Sequence, residues 1–300
     1  MRLILKILGG AIVLGLILAA IALVPPHLQV RSVEPALPEV VDLRALLSVE
    51  NGPVRIRYVN TSSQVLPQGE LAHTVFLVEW ANGDLFMIDA GMDRTAAVEF
   101  GKLMESALGA EEAVSHGTIV ELLGEDTMRV MGVAYTHLHI DHTQGTEPFC
   151  VARGSGASVF QTSWQRDLHD FNTVEGAGIV ADSCLEPGKL GEGTIMTVEG
   201  FPGIGVVALG GHTPGSTLFA VAIDDHLWLL SGDISNSKAD LQSDTGKGFL
   251  YSYLLVPENT ARNDILRPWL GELDAKEDMT VIVSHDLLDI AESGMGEYSR

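Results

Sequence analysis

Three imidazoles and a carboxylate are concentrated in one short segment of the chain. The segment reads Thr-His-Leu-His-Ile-Asp-His over residues 136–142, and three further potential metal ligands follow it in separate motifs. An alternating His-x-His that leaves a strand places two side chains on one face, and the Asp-His pair after it turns two more donors toward a second point. Nitrogen and oxygen donors of this kind predict a site for two first-row metal ions, with zinc preferred. The seven predicted ligands are His137, His139, Asp141, His142, His212, Asp233 and His285.

The remaining histidines are isolated in the sequence. Ten histidines in 300 residues is an ordinary count, so their clustering rather than their number carries the metal prediction. For the isolated ones the sequence favours a structural or solvated role over metal ligation. They are His27, His73, His116, His169 and His226.

The motif pattern resembles that of the metallo-β-lactamase superfamily, in which His-x-His-x-Asp-His precedes a distant His, a bridging Asp and a last His. The resemblance covers residues from about 54 to 286 and implies an α/β (α+β) fold, a four-layer αβ/βα sandwich. It implies that the first metal is held by His137, His139 and His212. It implies that the second metal is held by Asp141, His142 and His285, and that Asp233 bridges the two.

The resemblance also gives a role to Asp89, which ends an early strand in Ile-Asp-Ala-Gly. In the family an Asp at this place supports a ligand imidazole by accepting its hydrogen bond, which fixes the tautomer of the ring. On the sequence alone, a turn residue before Ala90-Gly91 is an equally good interpretation of Asp89.

The implied chemistry is hydrolysis. Two zinc ions, or other divalent first-row metals, that share a water molecule lower its pKa from ~15.7 toward ~7. The resulting metal-bridged hydroxide, oriented by Asp141 and Asp233, would attack an ester, a lactone or a related carbonyl substrate. The β-lactamases of the family lack an Asp at the position of Asp233, and amide hydrolysis of their type is the alternative. A non-catalytic metal-binding or sensor protein is the alternative from another class.

The residues that would contact the substrate are less clearly marked. The quorum-quenching lactonases of this family have a Tyr three residues after the bridging Asp that contacts the substrate carbonyl, whereas this chain has Asn236. Tyr251 or Tyr253, in the following loop, are candidates to take that place. Ordinary packing in the core or at the rim is the favoured interpretation of both tyrosines.

The composition of the N-terminus differs from that of the rest of the chain. Arg2 and Lys6 precede eighteen uncharged, apolar residues, 7–24, which Pro25-Pro26 end. This run lies at the short end of what crosses ~30 Å of hydrocarbon, and Ala-Ile-Ala at 20–22 is a passable cleavage site. Residues 1–26 are thus predicted to be a signal anchor, slightly favoured, or a signal peptide. Residues 27–53 are then an extended lead-in, and residues 54–300 the hydrolase domain.

Charge sets the expected location and the partners. Positive residues before the apolar run keep the N-terminus in the cytoplasm, so the domain is expected in the periplasm or on the extracytoplasmic face, anchored or secreted. The formal net charge of the chain is −22. This repels polyanions, so no nucleic acid is expected as a partner. A small neutral ester-like or lactone-like molecule fits better, and the membrane is a partner if the N-terminal helix is uncleaved.

Two cysteines, Cys150 and Cys184, would share the oxidising compartment. The sequence permits a disulfide between them but does not establish that their backbones approach closely enough. Neither occupies a ligand position of the motif pattern, so a zinc-binding cysteine is the weaker alternative.

Hydrophobic patterning predicts a mixed α and β domain in which each ligand follows a strand. Strands are expected at 54–58, 74–79, 85–88, 130–134, 158–161, 205–209, 217–222, 226–230 and 279–283, and helices at 94–108, 163–171 and 258–273. Rigid strand ends suit metal ligands, because metal-ligand distances tolerate only small errors.

Overall fold

The computed structural model describes residues 2–67 and 69–299. The strands in the first part of the chain are β1 (Arg55–Leu66), β2 (Gly69–Glu79), β3 (Leu85–Ile88), β4 (Val114–Ser115), β5 (Val130–Ala134), β6 (Ser158–Phe160) and β7 (Glu186–Pro187). The helices there are α1 (Arg2–Arg31), α2 (Val40–Arg44), α3 (Arg94–Leu108), α4 (Ile119–Leu123), α5 (Ile140–Thr143), α6 (Thr146–Arg153), α7 (Ser163–Asp167) and α8 (Val174–Ala181).

The second part adds further strands and helices. The strands are β8 (Met196–Thr197), β9 (Ile204–Ala208), β10 (Thr217–Ile223), β11 (His226–Leu230), β12 (Met279–Ile282) and β13 (Gly296–Glu297). The helices are α9 (Lys238–Gln242), α10 (Thr260–Asp274) and α11 (Leu287–Glu292). Two 3₁₀ turns lie at Ala45–Ser48 and Gly124–Arg129, and a single-turn π-helix spans Tyr251–Leu255.

These strands form two sheets. The first has the order β13-β1-β2-β3-β5-β6-β7, with β4 beside β1. Strands β1, β2 and β3 are antiparallel neighbours, whereas β3, β5, β6 and β7 run parallel. The second sheet has the order β12-β11-β10-β9-β8. The carboxyl ends of β5, β11 and β12, which precede metal-ligand candidates, therefore come from both sheets.

Alternating side chains of the central strands build separate cores, which give the fold its layers. In β2, Phe76 packs between the two sheets and its neighbour Leu77 packs under the helices of the first part. In β10, Phe219 packs between the sheets while Leu218 packs against α10. Because successive side chains of a strand point to opposite faces, each of these strands contributes to two cores. Each fully buried apolar side chain contributes about 1.5–3 kcal/mol to the stability of the fold. The result is the four-layer αβ/βα sandwich that the family resemblance implied, preceded by an apolar helix.

The N-terminal helix is longer than the sequence predicted. Helix α1 does not end at Pro25-Pro26 but continues to Arg31. A proline ring holds φ near −65°, which suits a helix, so the two prolines remove two N–H donors without terminating it. Between Lys6 and Arg31 the helix contains an exposed 18-residue window with a mean hydropathy of 2.9, and by length and composition it could cross a membrane.

The segment predicted to be an extended lead-in, 27–53, is instead about half helical, and it packs against the domain. It contains the end of α1, helix α2 and a 3₁₀ turn, and residues 33–39 between them are not helical. Val30, Val33 and Leu43 are buried, because this segment covers the outer side of the second sheet and α10. Arg262 of α10 fastens it with a hydrogen bond of 2.6 Å to the carbonyl of Pro35.

Cys150 and Cys184 form a disulfide with a Cα–Cα distance of 5.4 Å. It joins α6 to the chain after α8, and both cysteines pack against the core under the helices of the first sheet. This settles the question that the sequence left open and excludes these cysteines as zinc ligands.

Candidate metal centre

The predicted ligands converge at one edge of the sandwich, where strands of both sheets end. Strand β5 ends at Ala134 and leads directly into the segment with His137 and His139, and the short helix α5 then carries two more ligands. From the second sheet, His212 lies between β9 and β10, Asp233 follows β11 and His285 follows β12. Ligands that are far apart in the sequence are therefore held by strand ends of a rigid core.

Tight backbone packing holds the ligand segment in place. The N–H of Gly145, just after α5, donates to the carbonyl of Gly91 at 2.8 Å. A Cβ atom on Gly145 would lie only 2.0 Å from the carbonyl oxygen of Ala90, so no other residue fits there without a backbone shift. Helix α5 is thereby pressed against the turn that carries Asp89.

The first group consists of three imidazoles, His137, His139 and His212, whose ring nitrogens face one point. Nε2 of His137 lies 2.9 Å from Nδ1 of His139, which lies 3.3 Å from Nε2 of His212. Nitrogen ligands about 2.05 Å from a tetrahedral zinc lie about 3.3 Å from one another. The spacing of the first group therefore suits one zinc ion, with His139 binding through Nδ1 and the other two through Nε2.

The second group contains Asp141, His142 and His285. Oδ2 of Asp141 lies 3.6 Å from Nε2 of His142 and 3.5 Å from Nε2 of His285. All three side chains are buried. This group adds a carboxylate to two imidazoles, which suits a second cation.

Asp233 lies between the two groups. Its Oδ2 atom is 3.9 Å from Nε2 of His137 and 3.8 Å from Nε2 of His212 on one side, and 2.9 Å from Nε2 of His285 on the other. Its Oδ1 atom is 3.6 Å from Nε2 of His142. One carboxylate is thus within reach of both groups, as a bridging ligand requires.

Unpaired polar atoms indicate that this centre is built for cations. Nε2 of His142 and Oδ1 of Asp233 are buried and make no hydrogen bond to any residue in the described parts of the chain. A buried polar atom without a partner is costly, and these two point toward each other across 3.6 Å. The donor set and its orphaned atoms therefore fit a pair of divalent metal ions.

Neutral rings characterise the first group. Burial lowers the pKa of His139 to about 3 and holds the pKa of His137 well below its usual range. Burial and the ammonium of Lys247 also lower the pKa of His212. Neutral imidazoles present the lone pairs that metal binding requires.

The second group is dominated by negative charge. Burial opposes the charged form of His142, but the carboxylates of Asp89, Asp141 and Asp233 outweigh it and raise the pKa of His142 to about 10. Burial also opposes ionisation of Asp233, yet His285 and other imidazoles hold its pKa well below the usual range. Buried carboxylates thus remain ionised and require positive charge beside them, which divalent cations provide.

Two buried carboxylates orient ligand imidazoles by accepting hydrogen bonds from the ring nitrogens that do not face the centre. Asp89 accepts from Nδ1 of His142 at 2.9 Å, and its other oxygen accepts from the N–H of Thr136 at 2.7 Å. Its φ of 63° lies in the left-handed region, which Asp tolerates better than most residues. Glu258, at the start of the segment leading into α10, accepts from Nδ1 of His212 at 2.6 Å. Each carboxylate keeps the proton on Nδ1 and leaves Nε2 free to bind a metal.

Sequence reasoning missed three residues of this centre. The interpretation of His73 as isolated is wrong, because its Nδ1 lies 3.4 Å from Oδ2 of Asp141 and its ring contacts that of His285 edge-on. Glu258 and Lys247 were not identified at all, although Nζ of Lys247 lies 3.7 Å from Oε1 of Glu258. Glu258 could have been suspected only as a lone acidic residue before a helix.

The other isolated histidines have structural hydrogen bonds outside the centre. His116 pairs with Ser63 at 3.0 Å, and His226 with Thr280 at 2.9 Å. The rings of His169 and His27 bond to backbone carbonyls, that of His27 to the carbonyl of Tyr253 at 3.1 Å. For these four histidines the structural interpretation holds.

The three substrate candidates are placed differently. Asn236 is exposed. Tyr251 lies close enough to the centre that burial and the charges of Glu258, Asp233 and Asp141 raise its pKa well above the usual value. Tyr253 instead faces away, with its ring stacked on Phe249 at 4.8 Å. Of these candidates, the structure brings only Tyr251 near the metal ligands.

Comparison with known proteins agrees with this geometry. The family model of the metallo-beta-lactamase superfamily matches residues 68–285, which is most of the chain and includes all seven predicted ligands. The chain belongs to the metallo-β-lactamase superfamily. It is a metal-dependent hydrolase with the fold of that superfamily. No match is found among curated protein sequences.

Solved structures share the fold at low sequence identity. One is an N-acyl homoserine lactone hydrolase with the product N-hexanoyl-L-homoserine at its catalytic metal centre, at a TM-score of 0.58 and 15% identity, covering 80% of this chain and 96% of that one. Another is a quorum-quenching N-acyl homoserine lactone lactonase, with a TM-score of 0.57, 16% identity and coverage of 79% and 94%. A probable metal-dependent hydrolase from Staphylococcus aureus has a TM-score of 0.52, 17% identity and coverage of 79% and 91%.

Proposed function

We propose that this protein is a binuclear zinc hydrolase that cleaves an ester, a lactone or a related carbonyl substrate. The observation that carries the proposal is the convergence of two ligand groups on the shared carboxylate of Asp233. When bound, the two cations supply a Lewis acid for the substrate carbonyl and an activated water molecule at neutral pH. Neighbours of similar fold that are described as acyl homoserine lactone hydrolases support a lactone or ester.

The protein's own residues set the conditions for this reaction. Asp89 and Glu258 hold the Nδ1 protons of His142 and His212, so the Nε2 lone pairs of these rings point into the centre. Asp141 and Asp233 are ionised, because neighbouring imidazoles hold the pKa of each carboxyl below its usual range. Both would hold the cations and lower the net positive charge of the loaded centre.

Tyr251 is proposed to contact the substrate. Its raised pKa keeps the phenol protonated at neutral pH, so the hydroxyl is a hydrogen-bond donor. Nζ of Lys247 lies 5.1 Å from the centre of the Tyr251 ring and holds the ring beside the metal ligands. A donor in this position stabilises the negative charge that develops on a carbonyl oxygen during hydrolysis.

The domain is further proposed to work outside the cytoplasm, tethered by α1 as an uncleaved anchor. The apolar part of α1 supports a membrane span. The end of α1 is held on the domain, because Val30 and the following Val33 are buried, so an uncleaved helix would keep the domain next to the membrane. A mature protein that keeps residues 1–24 and requires detergent for extraction agrees with this; a mature protein that starts after residue 22 contradicts it.

Metal analysis and a substrate panel together test the proposed reaction. Purified protein is expected to hold two metal ions per chain and to hydrolyse chromogenic esters and lactones faster than a cephalosporin. Asp233→Ala and Asp141→Asn are expected to abolish turnover, and Tyr251→Phe to lower kcat by about 10²–10³-fold. Tyr253→Phe is the matched control and should leave kcat within twofold.

Two results would reject the proposal. Near-normal turnover by Asp233→Ala together with loss of turnover in Tyr251→Phe would require a side-chain nucleophile instead. Two bound metals with no hydrolysis of any ester, lactone or cephalosporin would favour a non-catalytic metal-binding protein.

A further inference from the structure

A group of large apolar side chains is exposed next to the metal centre. Four belong to the π-helix and the residues just before it, and two lie at the start of α8. Phe171 and Phe249 are the two phenylalanines among the described residues with strongly exposed side chains, and both are in this group. The group, called the apolar rim below, consists of Phe171, Val174, Phe249, Leu250, Leu254 and Leu255.

The two parts of the rim are joined to each other. Nδ2 of Asn172 donates to the carbonyl of Leu255 at 2.9 Å, which fixes the start of α8 beside the end of the π-helix. The exposed side chains therefore form one surface rather than isolated apolar residues, which are common on protein surfaces and have no special meaning.

The end of the N-terminal helix packs on this same surface. His27 hydrogen-bonds to the carbonyl of Tyr253 at 3.1 Å, and the two rings lie 5.4 Å apart. Tyr253 in turn stacks on Phe249. Three residues of helix, from Val24 to His27, rise only about 4.5 Å, so the rim lies within one turn of the apolar part of α1.

The rim also borders the metal centre. Tyr251 and Ser252 belong to the same π-helix, and Oγ of Ser252 donates at 2.5 Å to Glu258, which holds the ligand His212. A cavity of about 220 Å³ is lined by Phe249 and by Glu258. On the other side, α8 packs so closely on the ligand segment that a Cβ on Gly176 would lie 2.2 Å from the carbonyl oxygen of Leu138.

We infer that the apolar rim rests in the surface of the bilayer that α1 spans, and that the substrate is an amphiphilic ester or lactone whose hydrocarbon chain enters the centre from the lipid. This inference rests on the proposed function and narrows its substrate class. In the reaction, water adds across the acyl C–O bond: the carbonyl carbon gains the hydroxyl and the leaving oxygen gains the proton.

The chemistry of the rim selects an uncharged lipid surface. Its side chains are apolar, and the chain as a whole carries a net charge of −22, which disfavours anionic head groups. Apolar and aromatic side chains beside a membrane-spanning helix are typical of contact with the boundary between head groups and acyl chains.

Membrane contact can be measured without turnover. Full-length protein carrying a nitroxide at Leu254→Cys would be placed in phosphatidylcholine nanodiscs, one copy per disc; the native cysteines are paired, so only the new thiol reacts. The matched control is Met128→Cys, which is also exposed but precedes β5, at the opposite end of that strand from the ligands. The label at 254 should collide more with oxygen than with a polar nickel chelate, and the label at 128 should show the reverse.

Kinetics test the substrate class. In phosphatidylcholine vesicles, the full-length protein should prefer a dodecanoyl over a butanoyl aryl ester, since each methylene changes partition into hydrocarbon about fourfold. Leu254→Ser combined with Leu255→Ser should lower kcat/KM at least tenfold for the dodecanoyl ester and leave the butanoyl value within twofold. Met128→Ser should leave both values unchanged.

The outcomes separate this inference from the proposed function. If the label at 254 is accessible to the polar nickel chelate in single-copy discs, the rim does not contact the membrane. If the label is protected from the chelate only when vesicles contain several copies of the protein, the rim is a contact between copies instead. An equal fall for both esters overturns the lipid-phase substrate. Absence of all ester hydrolysis rejects the proposed function, while the nitroxide measurement still decides whether the rim lies in the bilayer.

Discussion

Glu258 offers the sharpest test of how the centre is supported, because it acts on one ligand group alone. In the variant Glu258→Gln the side chain keeps its shape and an acceptor oxygen for His212, but loses its charge. A hydrogen bond to a charged acceptor exceeds one to a neutral acceptor by about 1–2 kcal/mol. Because 1.4 kcal/mol is tenfold in binding, zinc affinity of the first group is expected to fall about 5–30-fold, which overlaps the roughly 10–100-fold typical of residues that orient metal ligands.

The same change leaves Lys247 without its partner. Its side chain is 3% exposed, and breaking a buried ion pair from one side costs about 3–5 kcal/mol of folding free energy. The double variant Glu258→Gln with Lys247→Met removes the unpaired ammonium. It is expected to regain most of the lost stability in urea unfolding of the metal-free protein.

The measurement is a zinc titration against a chromogenic chelator of known affinity, in which the two proposed ions would bind in separate steps. Asp89→Asn is the matched control, since it neutralises the carboxylate behind His142 and should weaken the second group instead. Asn is also well tolerated at the left-handed backbone of position 89. Equal weakening of both steps in Glu258→Gln would refute the argument that Glu258 acts through His212.

Three further predictions concern residues around the centre and the fold. Burial raises the pKa of Asp289 to about 6, against 3.8 usually, so its ionised form destabilises the folded protein: the stability present below pH 4 is lost as the pH rises through 6. Converted fully into free energy of unfolding, this pKa shift corresponds to about 3 kcal/mol. Because the side chain is partly exposed, we expect Asp289→Asn to raise the free energy of unfolding by only about 1 kcal/mol at pH 7.5 and not at all at pH 4. Chemical unfolding that shows no such pH dependence contradicts this prediction. Replacing both Cys150 and Cys184 by Ser should lower the free energy of unfolding by about 3–4 kcal/mol, because the disulfide closes a loop between residues 34 positions apart and so restricts the unfolded chain. A loss below 1 kcal/mol would mean that the disulfide does not restrict the unfolded chain. His73→Gln should weaken the second zinc step roughly tenfold and spare the first, whereas His116→Gln should change neither; identical titrations of the two variants would place His73 outside the metal centre.

Much of the fold was predictable where local pattern and burial agree. Strands β3, β5 and β11 and helix α3 have the predicted bounds, because each is a short apolar run or an amphipathic stretch with clear ends. Strand β1 is far longer than the predicted 54–58 and reaches Leu66. Its continuation, Asn-Thr-Ser-Ser-Gln at 60–64, is polar yet almost entirely buried.

Hydrogen bonds explain why hydropathy missed that continuation. Nε2 of Gln64 donates to the carbonyls of Gly101 and Glu111, and the hydroxyl of Ser63 pairs with His116. A polar strand can be buried when partners from other elements satisfy it, and those partners are invisible in the local sequence.

The same limit applies to the metal centre. The predicted ligands were recognised because four of them lie in one motif and the others follow strands. His73 reaches Asp141 across 68 residues and Glu258 reaches His212 across 46, so only the packing of the two sheets brings them together. Tyr251 and Tyr253 are two residues apart, yet the π-helix turns the first toward the centre and the second toward α1.

The candidate ligands come from two different sheets, so metal ions bound to them would also stabilise the contact between the sheets. The first part of the chain supplies His137, His139 and the two ligands of α5, and the second part supplies His212, Asp233 and His285. Neither part alone holds a complete group, so an ion bound to either group would link the two halves of the sandwich. Free zinc should therefore raise the melting temperature in proportion to the logarithm of its concentration. Removal of the metal by a chelator should weaken the contact between the two halves before either half unfolds.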